Sequence, residues 1–152
     1  NFGLSDKKTK SEFHHVISNS AYSGIKLRTY PKKEDVETIE INLDTLDNQL
    51  KKHDRVDLIK IDVEGGEYGV LKGASKIIDK FHPVIVFEHG LGASDHYNTS
   101  PNDIFDFFKL MDYQLFTLKG FIDDAHPLSM VEFFDLYHTN KEYYFLGKLR
   151  VS

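Results

Sequence analysis

Polar and apolar residues alternate along Glu37-Thr-Ile-Glu-Ile-Asn-Leu43, and a period of two predicts a half-buried strand. Asp44 then reads as a helix N-cap with Asp47 three positions on, so Thr45 to His53 is expected as a short amphipathic helix. Leu58 to Val63 is apolar on both faces apart from Lys60 and Asp62, the pattern of a buried parallel strand. Gly65 and Gly66 end it. Tyr68, Val70, Leu71, Ala74, Ile77, Ile78 and Phe81 recur at helical spacing, which predicts a helix over 67–81 that stops at His82-Pro83. Val84 to Phe87 is a second buried strand, closed by Glu88-His89-Gly90.

Beyond it, Leu91 to Ser100 reads as a loop. Ser100 caps a helix with Pro101 in its first turn and Asp103 three residues after the cap. Ile104, Phe105, Phe107, Phe108 and Met111 form its buried stripe. Gln114 to Leu118 is a third strand, Gly120 to Pro127 a turn-rich connection, Ser129 to Tyr137 a short helix, and Glu142 to Val151 a final strand. The first 36 residues are polar and Gly/Ser-punctuated, with a strand expected near Ser11 to Ile17 and a turn over Tyr30 to Asp35. Strands and helices alternate from residue 56 onward, so the expected architecture is an α/β sheet. Ligands of such sheets bind beyond the carboxyl ends of the strands. Here those ends are Asp62-Val-Glu-Gly-Gly-Glu67 and Glu88-His-Gly-Leu-Gly92.

Composition narrows the chemistry. A chain of 152 residues fits one domain, and 40% hydrophobic with 28% charged residues is ordinary for a globular protein. A net charge of −5 argues against an electrostatic nucleic-acid binder. With no cysteine there is no disulfide, no thiolate-bound zinc and no thiol catalysis. The apolar run Pro83 to Phe87 is strand-sized, far short of the roughly 18 residues that span a bilayer. The first residues lack the order of a signal peptide, so a cytoplasmic location is the simplest expectation.

The candidate chemistry lies in one block. Lys60, Asp62 and Glu64 start on one face of a strand, and a buried Lys60 needs a partner such as Asp62 or Glu88. Glu67 sits in the first turn of the next helix, at the positive end of its dipole. A single acidic residue at a strand end is usually a cap or turn former. Three carboxylates and two glycines within six residues suggest general-base work or cation binding instead. His89 is the one histidine at a predicted strand end, and His96 and Tyr97 follow on its loop. No His-x-x-x-His or His-x-His spacing occurs, so a zinc site has no local signature and no metal ligand is assigned. Nucleotide-loop and nucleophile-elbow sequences are absent as well.

Asp57-Leu-Ile-Lys-Ile-Asp-Val-Glu-Gly-Gly-Glu67, followed by Val70-Leu-Lys-Gly-Ala74, closely resembles the hallmark block of FkbM-type methyltransferases. Pro83-Val-Ile-Val-Phe-Glu88 fits that family's Pro-initiated strand ending in Glu. Asn1-Phe-Gly-Leu-Ser-Asp6 and Asp44-Thr-Leu-Asp47 resemble its upstream segments. The likeness runs well over residues 1 to about 90 and continues beyond in layout only.

The resemblance implies a Rossmann-like class I methyltransferase sheet, with S-adenosylmethionine as cofactor. It also implies a small-molecule acceptor, commonly a hydroxyl of a sugar or polyketide. Asp62 and Glu64 would face the acceptor and methyl group, with Glu67 and Glu88 as further catalytic candidates and Lys60 orienting Asp62. Asp6, Asp62 and Val63 would contact the cofactor, and His89 and His96 the acceptor.

This chain departs from the family in starting where the third strand should be ending. It is expected to be a single partial domain, truncated at its N-terminal half. Residues 1–55 would carry a hairpin or strand and a short helix, and residues 56–152 the fourth to seventh strands. Without a first strand, Leu58 to Val63 should expose an edge that pairs with a second copy, as a homodimer, or with residues 10–43. The chain alone should bind S-adenosylmethionine weakly and be inactive. Two other readings stay open: a non-catalytic interaction domain on the same scaffold, and a metal hydrolase using Asp62, Glu64 and Glu88.

Overall fold

The computed structural model describes residues 2–27, 32–50 and 55–150. It contains two sheets. The first is built by β1 (Gly3–Leu4), β2 (Thr9–Val16) and β3 (Val36–Asp44) in the order β1-β3-β2. β1 runs parallel to β3, while β2 pairs with it antiparallel from Thr9↔Leu43 to Val16↔Val36. The strand expected at Ser11 to Ile17 is therefore present, and the turn expected at Tyr30 to Asp35 lies partly outside the described residues. β3 is more exposed than its alternation suggests: only Leu43 and Asp44 at its end are buried.

The second sheet carries the candidate site. It comprises β4 (Leu58–Ile61), β5 (Val84–Glu88), β6 (Tyr113–Thr117) and β7 (Tyr144–Leu149) in the order β4-β5-β7-β6. β4 and β5 are parallel, with Ile61 opposite Phe87. β7 inserts antiparallel between β5 and β6. The sheet is thus mixed.

β4 is not buried on both faces. Ile59 and Ile61 are covered, whereas Leu58 is 61% exposed and Lys60 points to solvent. Among the described residues β4 has a neighbouring strand on one side only. Residues 10–43 do not complete this edge, because they pair among themselves.

The covered face makes the core. Ile61, Ile85, Phe87 and Phe145 meet Leu71, Ile78, Phe108 and Phe133 from the helices. Phe87 stacks on Phe108 with ring centroids 5.0 Å apart, and Phe133 meets Phe145 edge-on at 4.7 Å. Removing one such ring costs about 3–5 kcal/mol.

Six helices surround this core among the described residues. α1 (Leu46–Gln49) is capped by the Thr45 hydroxyl, which accepts from Asn48 N at 3.1 Å. The expected cap, Asp44, is instead a buried hub whose carboxylate accepts from Thr45 N and from the side chains of Asn48 and Gln49. The expected continuation to His53 falls outside the described residues.

The expected helix over 67–81 is two helices, α2 (Glu67–Gly73) and α3 (Ser75–Phe81), broken at Ala74. The Asp47 carboxylate accepts from Lys76 N and Ile77 N at 3.1 and 3.0 Å. It thereby satisfies the first backbone donors of a new helix. α4 (Pro101–Leu110) has the full Ser100/Asp103 capping box. α5 (Leu118–Ile122) occupies part of the stretch expected as turns, started by the Thr117 hydroxyl on Gly120 N. α6 (Met130–Thr139) begins with a second capping box, Ser129/Glu132. The loop after β5 contains a short 3-10 turn at Ser94–Tyr97.

The two sheets meet where α2 crosses the end of β1. A Cβ on Gly73 would lie 2.0 Å from the Ser5 carbonyl oxygen, a backbone atom that cannot swing aside. Gly73→Ala is therefore expected to destabilise the fold by about 1–3 kcal/mol. A urea midpoint that falls accordingly is the expected result, and an unchanged midpoint would show that this contact is not fixed.

Candidate active site

The parallel register of β4 and β5 brings two strand ends side by side. Ile61 is opposite Phe87, so the next residues, Asp62 and Glu88, continue the pairing off the carboxyl edge. Glu88 is also opposite Tyr144 on β7. Asp62, Glu64 and Glu88 each offer a carboxylate oxygen, and these oxygens lie within 4.8 Å of one another.

Between β4 and α2 the chain turns through residues 62–66. Glu64 and Gly65 both have positive φ, at 55° and 102°. A Cβ on Gly65 would come within 2.4 Å of the Ala93 carbonyl oxygen, so glycine is needed there for room as well as for conformation. Glu67, 1% exposed, reaches back from the first turn of α2. Its Oε1 accepts from Val63 N at 3.0 Å and from Gly65 N at 3.1 Å.

Electrostatics follow from this crowding. Burial pushes the Glu88 carboxyl up to about 7, reinforced by the charges of Glu64, Asp62 and Glu67. Glu88 in turn raises the Tyr144 hydroxyl. Burial also raises Glu67, against the backbone N–H groups of Glu67, Val63 and Gly65, which favour its charged form. Lys60 Nζ donates to Asp62 Oδ2 at 2.7 Å, and that bond raises the Lys60 ammonium. Lys60 is therefore an exposed partner of Asp62, not a buried amine. Three carboxylate oxygens at this spacing can share a proton, and they are also a donor set a hard divalent cation accepts.

The other side of the same turn faces a cleft of about 340 Å³. Asp6, Val63, Gly66, Tyr68, Tyr97 and Asp103 are among its walls. Lys72 stands 3.5 Å from Asp6 and over the Tyr68 ring at 4.6 Å. Of the residues expected at a cofactor, Asp6 and Val63 thus share one cleft, while Asp62 belongs to the carboxylate cluster.

The two histidines fare differently. His89 is 1% exposed, its ring stacked on Tyr137 at 4.7 Å and on Phe133 at 5.8 Å. Neither ring nitrogen has a hydrogen-bond partner among the described residues, and burial pushes its pKa down to about 4. It lies in the core beneath α6, where strand alternation turns it away from Glu88. His96 is half-buried on the 3-10 turn, and its neighbour Tyr97 is the residue that lines the cleft. Tyr144, Tyr68 and Lys72 were not singled out by sequence. Their positions follow from strand register and helix docking, which leave no local signature.

The family model described as the methyltransferase FkbM domain matches residues 1–115, and the chain belongs to that family. No curated protein and no solved structure matches it. Among the described residues no helix is long and apolar enough to cross a membrane.

Because the folded Glu88 binds its proton more tightly than an ordinary glutamate, that proton's contribution to stability is complete below about pH 4.5. It is lost as the pH rises through about 7. Glu88→Gln lacks this loss. Its urea midpoint is expected to gain on the wild type between about pH 5 and about pH 8. Parallel pH dependences for the two proteins would contradict the shift.

Proposed function

We propose that the chain forms the acceptor side of an S-adenosylmethionine-dependent methyltransferase that methylates a hydroxyl group of a sugar or other small molecule. The observation that carries this reading is Glu88, held near pKa 7 beside Asp62 and Glu64 at the carboxyl ends of β4 and β5. A base with that pKa is half ionised at neutral pH and can take a proton from a hydroxyl as the oxygen attacks.

The cleft on the other side of the turn fits the nucleoside end of the cofactor. Its volume lies within the range of about 300–1,000 Å³ usual for small-molecule sites. It offers two aromatic rings, Tyr68 and Tyr97, for a purine, and the Asp6 carboxylate for ribose hydroxyls. Asp6, Val63, Gly66, Tyr68 and Tyr97 would hold that end. S-adenosylmethionine supplies an electrophilic methyl group when bound. The chain's own part is to position the acceptor oxygen and receive its proton on the Glu88 cluster, with Lys60 fixing the Asp62 carboxylate. Positioning of this kind supplies much of the advantage in a displacement that needs no covalent intermediate.

Titration with S-adenosylhomocysteine, followed by amide chemical shifts, tests the cleft assignment even when affinity is low. The expected shifts are at Asp6, Gly66 and Tyr97 with ligand at about 1 mM. No shift at that concentration, or shifts confined to other surfaces, would contradict it. Metal-dependent turnover that needs no methyl donor would favour a hydrolase built on the same three carboxylates.

A further inference from the structure

The carboxylate cluster depends on an unusual backbone. Glu64 is a non-glycine residue in the left-handed region, followed by a second positive φ at Gly65. Such conformations carry a cost and persist only where the surroundings over-determine them. Here the surroundings are two. From one side the Ala93 carbonyl oxygen leaves no space for a side chain at Gly65. From the other, a single oxygen of Glu67 takes the backbone N–H groups of both Val63 and Gly65. Those two donors flank Glu64.

Glu67 itself is anchored. It opens α2, whose Val70 and Leu71 are buried in the core. With 1% exposure and Oε1 shared by two backbone donors, it is not placed to meet an acceptor.

We infer that Glu67 is a positioning residue, not a catalytic one: its Oε1 clamps the 62–66 turn in the left-handed form that delivers the Glu64 carboxylate to Asp62 and Glu88. The importance of this for methyl transfer rests on the function proposed above. The clamp itself does not, and it can be read without cofactor or acceptor. What it requires is an acceptor oxygen at the position of Oε1. A charge is not required, and neither is an exchangeable proton. Glu67→Gln keeps a carbonyl oxygen on a side chain of equal length, so it should keep both bonds. Glu67→Ala takes this partner from the buried Gly65 N–H and the part-buried Val63 N–H.

Two readouts on the free protein test this. The first is amide hydrogen exchange at Val63 and Gly65, with the core amide of Ile78 as a control for the fold. In Glu67→Gln both turn amides should stay protected as in the wild type. In Glu67→Ala they should exchange at least about tenfold faster while Ile78 is unchanged. The second readout is the titration of Glu88. Both variants lack the Glu67 charge, so a difference between them reports on Glu64. The midpoint should be lower in Glu67→Ala than in Glu67→Gln, because Glu64 has left the cluster.

Equal loss of turn protection in both variants would overturn the inference. So would equal Glu88 midpoints with the turn opened in Glu67→Ala. If Glu67→Ala does not fold, Glu67→Asp takes its place, its oxygen one methylene too short to reach both donors; wild-type protection of both amides in that variant would overturn the clamp. A protein that takes up no methyl donor would remove the proposed reaction and leave the exchange result standing.

Discussion

The parallel pairing of β4 with β5 determines most of what this chain can do. It sets two strand ends next to each other, and it therefore sets Asp62 next to Glu88. The turn after β4 then adds Glu64. Acidic groups this close cannot all ionise cheaply, and partial burial deepens the cost. Glu88 bears it, half-buried and ringed by three other carboxylates. Lys60 pairs directly with Asp62, its ammonium 2.7 Å from that side chain. A group that would be an ordinary surface acid on a single strand becomes a proton acceptor suited to neutral pH.

The turn that completes the cluster divides the site in two. Its residues alternate in direction, so Asp62 and Glu64 join Glu88 while Val63 and Gly65 form part of the cleft wall. One short segment thereby contributes to the carboxylate cluster on one side and to a nucleoside-sized cleft on the other. Glycine at 65 and the buried Glu67 make that division possible. The first admits the close approach of Ala93, and the second secures the backbone from below. The rest of the fold stabilises this arrangement through the aromatic core beneath β5 and through Gly73, where α2 meets the end of β1.

Much of this was legible in the sequence because it is local. Ser100, Pro101 and Asp103 announce the start of α4. The two-residue period of β3, the apolar runs of β4 and β5, and the acidic block between Asp62 and Glu67 are each contained within a few residues. What was not legible depends on distant partners. Whether the second face of β4 is covered is decided by the elements that pack on it, and Leu58 stays exposed because none does. The break at Ala74 is caused by Asp47, which contacts backbone twenty-nine residues further along. His89 ends a strand as a site residue would, yet the placement of α6 takes it into the core against Tyr137. Tyr144 comes to Glu88 only through the antiparallel register of β7. The family block drew attention to residues 57–67, while their contacts with one another and with Glu88 became visible only in three dimensions.

The most direct test is the titration of the Glu88 carboxyl on the free protein, followed by its side-chain carbon chemical shift. The expected midpoint is near 7, the value to which burial and the neighbouring carboxylates hold it, and it should fall in Glu64→Gln, which removes one of those charges. A wild-type midpoint in the ordinary glutamate range near 4.5, or the same midpoint in the variant, would contradict it.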